Sequence, residues 1–155
     1  MAAPSALIFY RNNLDVLKLS DLTGVTIRLA LLTSSYTPSA GLSGHTIYGD
    51  LTNELSTANG YTDGGISLSS PTVAAYSTTG QKFSTGNADW TASGSGIPAH
   101  RYCVLYADAT LWSLTKPLLG YFIADSTPAD AALTPSGAHL VYNCPDNGWF
   151  YLNHA

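Results

Sequence analysis

Four histidines, two cysteines, nine aspartates and a single glutamate, Glu54, are the side chains here with which acid–base, nucleophilic or metal chemistry could begin. Gly41-Leu-Ser-Gly-His45 is the nearest approach to a nucleophile elbow, the sharp strand-to-helix turn that exposes a serine hydroxyl. The G-x-S-x-G pattern needs glycine where His45 stands, so the segment reads as a loop. Ser43, His45 and Asp50 could meet as a triad, yet with 17 serines and 17 threonines in the chain such triples arise by chance. His45, His100, His139 and His154 lie outside metal-ligand spacing of one another and of Cys103 and Cys144, which argues against a transition-metal site. Asp125-Ser-Thr-Pro-Ala-Asp130 is interrupted by Pro128 and lacks the closing glutamate of a calcium loop, so it reads as a turn. Asp108, Asp125 and Asp130 are the carboxylates from which a glycosidase pair could be drawn, although no feature of the sequence favours it. Phosphate-binding and dinucleotide fingerprints are missing. The expectation is a protein that is not an enzyme, with no catalytic residue, no cofactor and no metal.

Such groups need a scaffold, and composition bounds it. The chain has 155 residues, enough for one core, so residues 1–155 are expected to form a single β domain. Charged residues make up 10%, against roughly 25% in an ordinary soluble domain, so hydroxyls must do much of the hydrating. A weakly charged, hydroxyl-rich surface repels its own copies little, which suits a protein that works in an assembly. The net charge is −4, and Arg11, Lys18, Arg28, Lys82, Arg101 and Lys116 are scattered singly. Nucleic acid is therefore not an expected partner. The N-terminal apolar stretch, 6–10, is too short for a signal-peptide core, and no stretch approaches a membrane span, so no membrane partner is expected. Cytoplasmic folding follows, with Cys103 and Cys144 as free thiols.

Short β-branched and aromatic runs punctuated by Gly, Pro, Asn, Asp and Ser predict an all-β protein. The fold expected is an antiparallel β-sandwich or jelly-roll-like arrangement with at most one or two short helices. The clearest strand is 25–32, where Val25, Ile27, Leu29 and Leu31 alternate with Thr26, Arg28 and Ala30 to give one buried and one outward face. Leu51 and Leu55 lie four apart behind Asp50, which allows a short capped helix. Gly60-Tyr-Thr-Asp-Gly-Gly65 predicts a tight turn, followed by strands over 66–69, 72–77 and 81–84. The Gly/Ser/Thr-rich middle, 56–96, is expected as exposed hairpins and loops. Residues 100–106 form the best candidate for a central strand, with Arg101, Cys103 and Leu105 on one face and Tyr102, Val104 and Tyr106 on the other. Arg101 should be exposed, or paired if buried. A second strand spans 118–124, and 138–152 reads as a final hairpin turning at Asp146-Asn147-Gly148.

The blocks Val25-Thr-Ile-Arg-Leu-Ala-Leu-Leu-Thr-Ser-Ser-Tyr-Thr-Pro38, Gly60-Tyr-Thr-Asp-Gly-Gly65, Ala88-Asp-Trp-Thr-Ala92, Ile97-Pro-Ala-His-Arg-Tyr-Cys-Val-Leu-Tyr106 and Pro117-Leu-Leu-Gly-Tyr-Phe122 occur in this order. Together they resemble a family of small virion structural proteins of tailed bacteriophages. The chain departs from that pattern between Pro38 and Gly60, where Leu42-Ser-Gly-His-Thr-Ile-Tyr48 replaces an acidic-aromatic cluster, and in a longer and more aromatic C-terminal hairpin. The resemblance implies a capsid decoration or cement protein on the outer surface of the phage head. Its partners would be the major capsid protein and further copies of itself, with a trimer as one arrangement. A tail or head–tail connector component is the alternative, and a phage hydrolase or depolymerase domain a third. Residues 1–20 are expected as an N-terminal arm or an edge strand, with Leu7, Ile8, Phe9 and Tyr10 as candidate contacts to the capsid or a neighbouring subunit.

Overall fold

The computed structural model describes residues 8–9, 19–41, 43–76, 80–124 and 130–153. Twelve strands appear in chain order: β1 (Ile8–Phe9), β2 (Ile27–Leu32), β3 (Ile66–Leu68), β4 (Thr72–Tyr76), β5 (Gly80–Ser84), β6 (Ala88–Thr91), β7 (Tyr102–Ala107), β8 (Thr110–Leu111), β9 (Leu114–Thr115), β10 (Leu118–Ile123), β11 (His139–Tyr142) and β12 (Phe150–Asn153). All the strand pairings are antiparallel. Among the described residues, helix is confined to short 3-10 turns at Leu19–Leu22 and Tyr48–Asp50. None among the described residues is long and apolar enough to cross a membrane. The fold is an all-β sandwich.

One layer is a five-stranded sheet in the order β1-β10-β7-β2-β3, and the other is built from the β11-β6 pair and the β12-β5-β4 sheet. Ile27, Leu29 and Leu31 of β2 and Cys103 and Leu105 of β7 share the core with Phe83, Trp90, Leu140, Tyr142 and Phe150 of the opposing layer. On β10 an extra residue, Leu119, sits between the pairs Leu118–Tyr106 and Gly120–Leu105. This bulge reverses the phase of the strand, so that Phe122 joins the core while Tyr121 faces away from it.

Several expectations change here. β7 is indeed the central strand and its faces alternate as expected, with Cys103 and Leu105 on one side and Val104 and Tyr106 on the other. The second face of β2 is not outward. Ala30 and Leu32 are fully buried with Val104, Tyr106 and Leu118 under Tyr36, Ala40, Tyr48 and Leu51, so the loop 36–51 forms a cover over that side of the sheet. The middle of the chain is not peripheral either, because Tyr61, Phe83 and Trp90 are core residues. β11 and β12 do not form a final hairpin: a turn does close from Pro145 to Gly148, but β11 pairs with β6 and β12 with β5. The helix anticipated behind Asp50 does not form: residues 51–55 are not helical, and the 3-10 turn found here, Tyr48–Asp50, ends at Asp50. Asp50 closes it by reaching back to the backbone N–H groups of Thr46 (2.7 Å) and Ile47 (3.0 Å). Burial opposes its charge, but these bonds together with the Thr46 hydroxyl and the neighbouring His45 hold its carboxyl below the usual range.

Candidate functional site

The densest convergence of polar chemistry lies where the cover loop meets the ends of β2 and β7, and Glu54 is its centre. An isolated bridge to Leu32 fixes the Glu54 backbone against the sheet. Its Oε2 accepts from the Tyr48 hydroxyl, and its Oε1 accepts from the Tyr61 hydroxyl at 2.5 Å and from the Gly64 N–H at 2.7 Å. The Tyr61 oxygen in turn accepts from the Leu31 N–H at 3.0 Å, which ties the cluster to β2. Burial, reinforced by the neighbouring Glu54 carboxylate, pushes the Tyr48 and Tyr61 hydroxyls well above the usual tyrosine range. Both therefore stay protonated and keep donating.

From Gly64 the network continues across the sheet. The Gly64 carbonyl accepts from the Tyr106 hydroxyl (2.7 Å) and from Arg28 Nε (2.9 Å), while the Gly65 carbonyl accepts from Arg28 Nη2 (2.7 Å). Arg28 also reaches Asp108 at 3.5 Å, and Asp108 holds Lys116 at 2.9 Å. The Lys116 ammonium lies 5.5 Å from the centre of the Tyr48 ring, which stacks on Tyr106 at 4.7 Å. The contacts thus close a circuit, from Tyr48 through Glu54, Gly64, Arg28, Asp108 and Lys116 back to Tyr48. Each member meets a partner of complementary sign or donor character, and the circuit fastens the 48–65 segment to the sheet edge.

The anticipated turn at Asp63-Gly64 exists, since the Gly65 N–H bonds to the Thr62 carbonyl. Its second purpose is close approach. A Cβ on Gly65, whose φ is +70°, would stand 1.9 Å from the Leu29 carbonyl oxygen, so no side chain fits where this backbone crosses β2.

Other candidates are dispersed. His45 Nδ1 meets the Tyr36 hydroxyl at 2.8 Å, and Asp50 Oδ2 serves Thr46 and Ile47, so neither side chain is arranged around Ser43. Asp108 and Asp130 stand beyond opposite ends of β7, the second beside Arg101 at 3.8 Å, and Asp125 lies outside the described residues. Arg101 is thus partly exposed and paired, with its guanidinium also 5.9 Å from the Tyr102 ring centre. His139 forms an exposed pair with Asp89 at 2.7 Å, a kind of contact that contributes little. His154 is outside the described residues. Among the described residues, no group of three or more His, Cys, Asp or Glu side chains could hold a metal ion. Cys103 is buried and Cys144 half-buried, both as free thiols, and burial pushes both thiols up. Of the candidate contacts, Leu7 and Tyr10 lie outside the described residues. The backbone of Ile8 and Phe9 pairs with Tyr121 and Gly120 as an edge strand.

Glu54 carries the site, yet its sequence offers nothing beyond its being the lone glutamate with tyrosines six residues before and seven after. No family model, no curated protein and no solved structure matches the chain.

Proposed function

We propose that this chain is a virion structural protein of a tailed bacteriophage that decorates the outside of the head, binding the major capsid protein and neighbouring copies of itself. The observation that carries this reading is the closed circuit around Glu54. Both oxygens of its carboxylate accept from donors within the chain, three in all, and the circuit braces the cover loop instead of presenting a reactive atom. A surface fixed before it meets a partner loses less entropy on binding, which is what a packing module requires. Two further features support the reading: the ordered sequence blocks that resemble small phage virion proteins, and the outer face of the β12-β5-β4 sheet. There the half-exposed Tyr151 stacks on Tyr76 at 4.1 Å beside Lys82. Tyrosine is enriched at protein interfaces.

The test is to mix the purified protein with shells assembled from the major capsid protein alone. Saturable co-sedimentation and a raised melting temperature of the shells are expected. Failure to bind shells at every stage of maturation, together with co-purification with tails, would replace the head assignment by a tail one.

A further inference from the structure

We propose that His100 is an acid-operated latch that holds the strap 130–138 against the sandwich and releases it when protonated. Among the described residues His100 is fully buried, beside the equally buried Tyr142. Its backbone pairs with Ala131 through two hydrogen bonds of 3.3 and 2.8 Å, and a second bridge joins Ile97 to Thr134. These bridges hold a strap that otherwise shows solvent much of its surface, Leu133 included at 51% exposure. The far end of the strap is tied as well, the Gly137 N–H donating to the Ala92 carbonyl at 2.8 Å and the Ala138 carbonyl accepting from the Ala92 N–H at 2.9 Å, so release means loss of the Ala131 and Thr134 bridges ahead of that anchor, at lower cost than opening the central strands.

The ring's two hydrogen bonds define its protonation state. Nδ1 lies 3.2 Å from the Pro98 carbonyl, which can only accept, so Nδ1 carries the proton. Nε2, 2.7 Å from the Tyr142 hydroxyl, is then the acceptor of that hydroxyl's proton. A second proton on Nε2 would face a donor. Tyr142 would have to turn its hydrogen toward Cys103, with which it also bonds, and the resulting imidazolium would be sealed from water. The groups around the ring are Cys103 from β7, Tyr142 from β11, Asp130 from the strap and Arg101 from the histidine's own segment. Asp130 is the one whose charge favours the imidazolium, and it is shared with Arg101 at 3.8 Å. Burial prevails and lowers the tendency of His100 to take a proton. The closed state therefore excludes a proton that the open state accepts. Strap closure keeps its full strength above the ordinary histidine value of 6.5 and loses it as pH falls below that value toward the depressed one.

Amide hydrogen exchange of the whole chain, read residue by residue by NMR and corrected for intrinsic rates, tests this. Between about pH 7.5 and about pH 5 the protection of the Ala131 and Thr134 amides is expected to fall by about tenfold or more, while the β2–β7 ladder amides hold theirs. In His100→Gln, whose side-chain oxygen can accept from Tyr142 but cannot take up a proton, strap protection should be independent of pH. Unchanged protection in the native chain, or a parallel loss in His100→Gln, would overturn the proposal. Should that variant fail to fold, the native imidazole resonance decides. Titration below the ordinary value in step with strap opening supports the latch, and titration with the strap still protected refutes it.

Discussion

Glu54 shows how one side chain can hold a region together without doing chemistry. Its three donors come from residues six, seven and ten positions away in the chain, so the contacts are local in sequence although they lock a loop onto a sheet. Glu54→Ala leaves the buried Tyr61 hydroxyl and the Gly64 N–H without their acceptor, and should cost about 2–3 kcal/mol in urea unfolding. Glu54→Gln keeps an oxygen for Tyr61 and Gly64 and can donate to Tyr48, so its cost should be about 1 kcal/mol. Equal losses in the two variants would contradict this division of roles. The tyrosines give a second handle, because burial raises the hydroxyls of Tyr48, Tyr61 and Tyr106 above the ordinary value of 10.0. A raised acid favours the protonated folded form, so this contribution is complete below pH 10 and is lost as pH rises further. Ultraviolet titration should find these three un-ionised until the chain unfolds; smooth ionisation of all ten tyrosines near pH 10 in folded protein would contradict the burial.

At the scale of elements, the crossing of Gly65 over β2 sets the geometry of the circuit. Gly65→Ala drives a Cβ into the Leu29 carbonyl at a positive φ and should destabilise the fold by about 3 kcal/mol or more. Gly24→Ala meets nothing within 4 Å and should change stability by no more than about 0.5 kcal/mol, which makes it the control in the same thermal unfolding experiment. Similar effects from both would show that Gly65 is not a contact point. How far such elements were legible in the sequence depended on what specifies them. β7 could be read because its apolar residues occupy both phases, as they must in a strand covered on two sides. The second face of β2 could not, because Arg28 and Ala30 look like a solvent face, and the residues that cover it come from a polar, turn-rich loop. The last two strands were misjoined for a related reason. Turn chemistry at Asp146-Asn147-Gly148 predicts that the chain reverses, but not that each arm finds an older partner, β6 or β5, at long range. The site around Glu54 was missed because hydrogen-bonded tyrosines and a glycine N–H have no spacing rule comparable to that of metal ligands.

Across the whole molecule, the sandwich has a core shared by three sheets, a second core beneath the 36–51 cover, and a strap, 130–138, bridged to Ile97 and His100, for which acid release is proposed. The low charge of 10% and the abundance of hydroxyls leave an outer surface that can approach like copies without strong repulsion. Individual contacts on such a surface need not be tight, because a lattice multiplies a standard interface of order 1,600 Å² over many sites. The number of copies per particle is therefore the most direct measure of the proposed role. Quantitative mass spectrometry of purified particles, calibrated against the major capsid protein, should find this chain at a fixed ratio to the capsid lattice, on the order of hundreds of copies. A count of about six or twelve, the copy number of a connector ring, or its loss from particles while it remains with isolated tails, would contradict the decoration account.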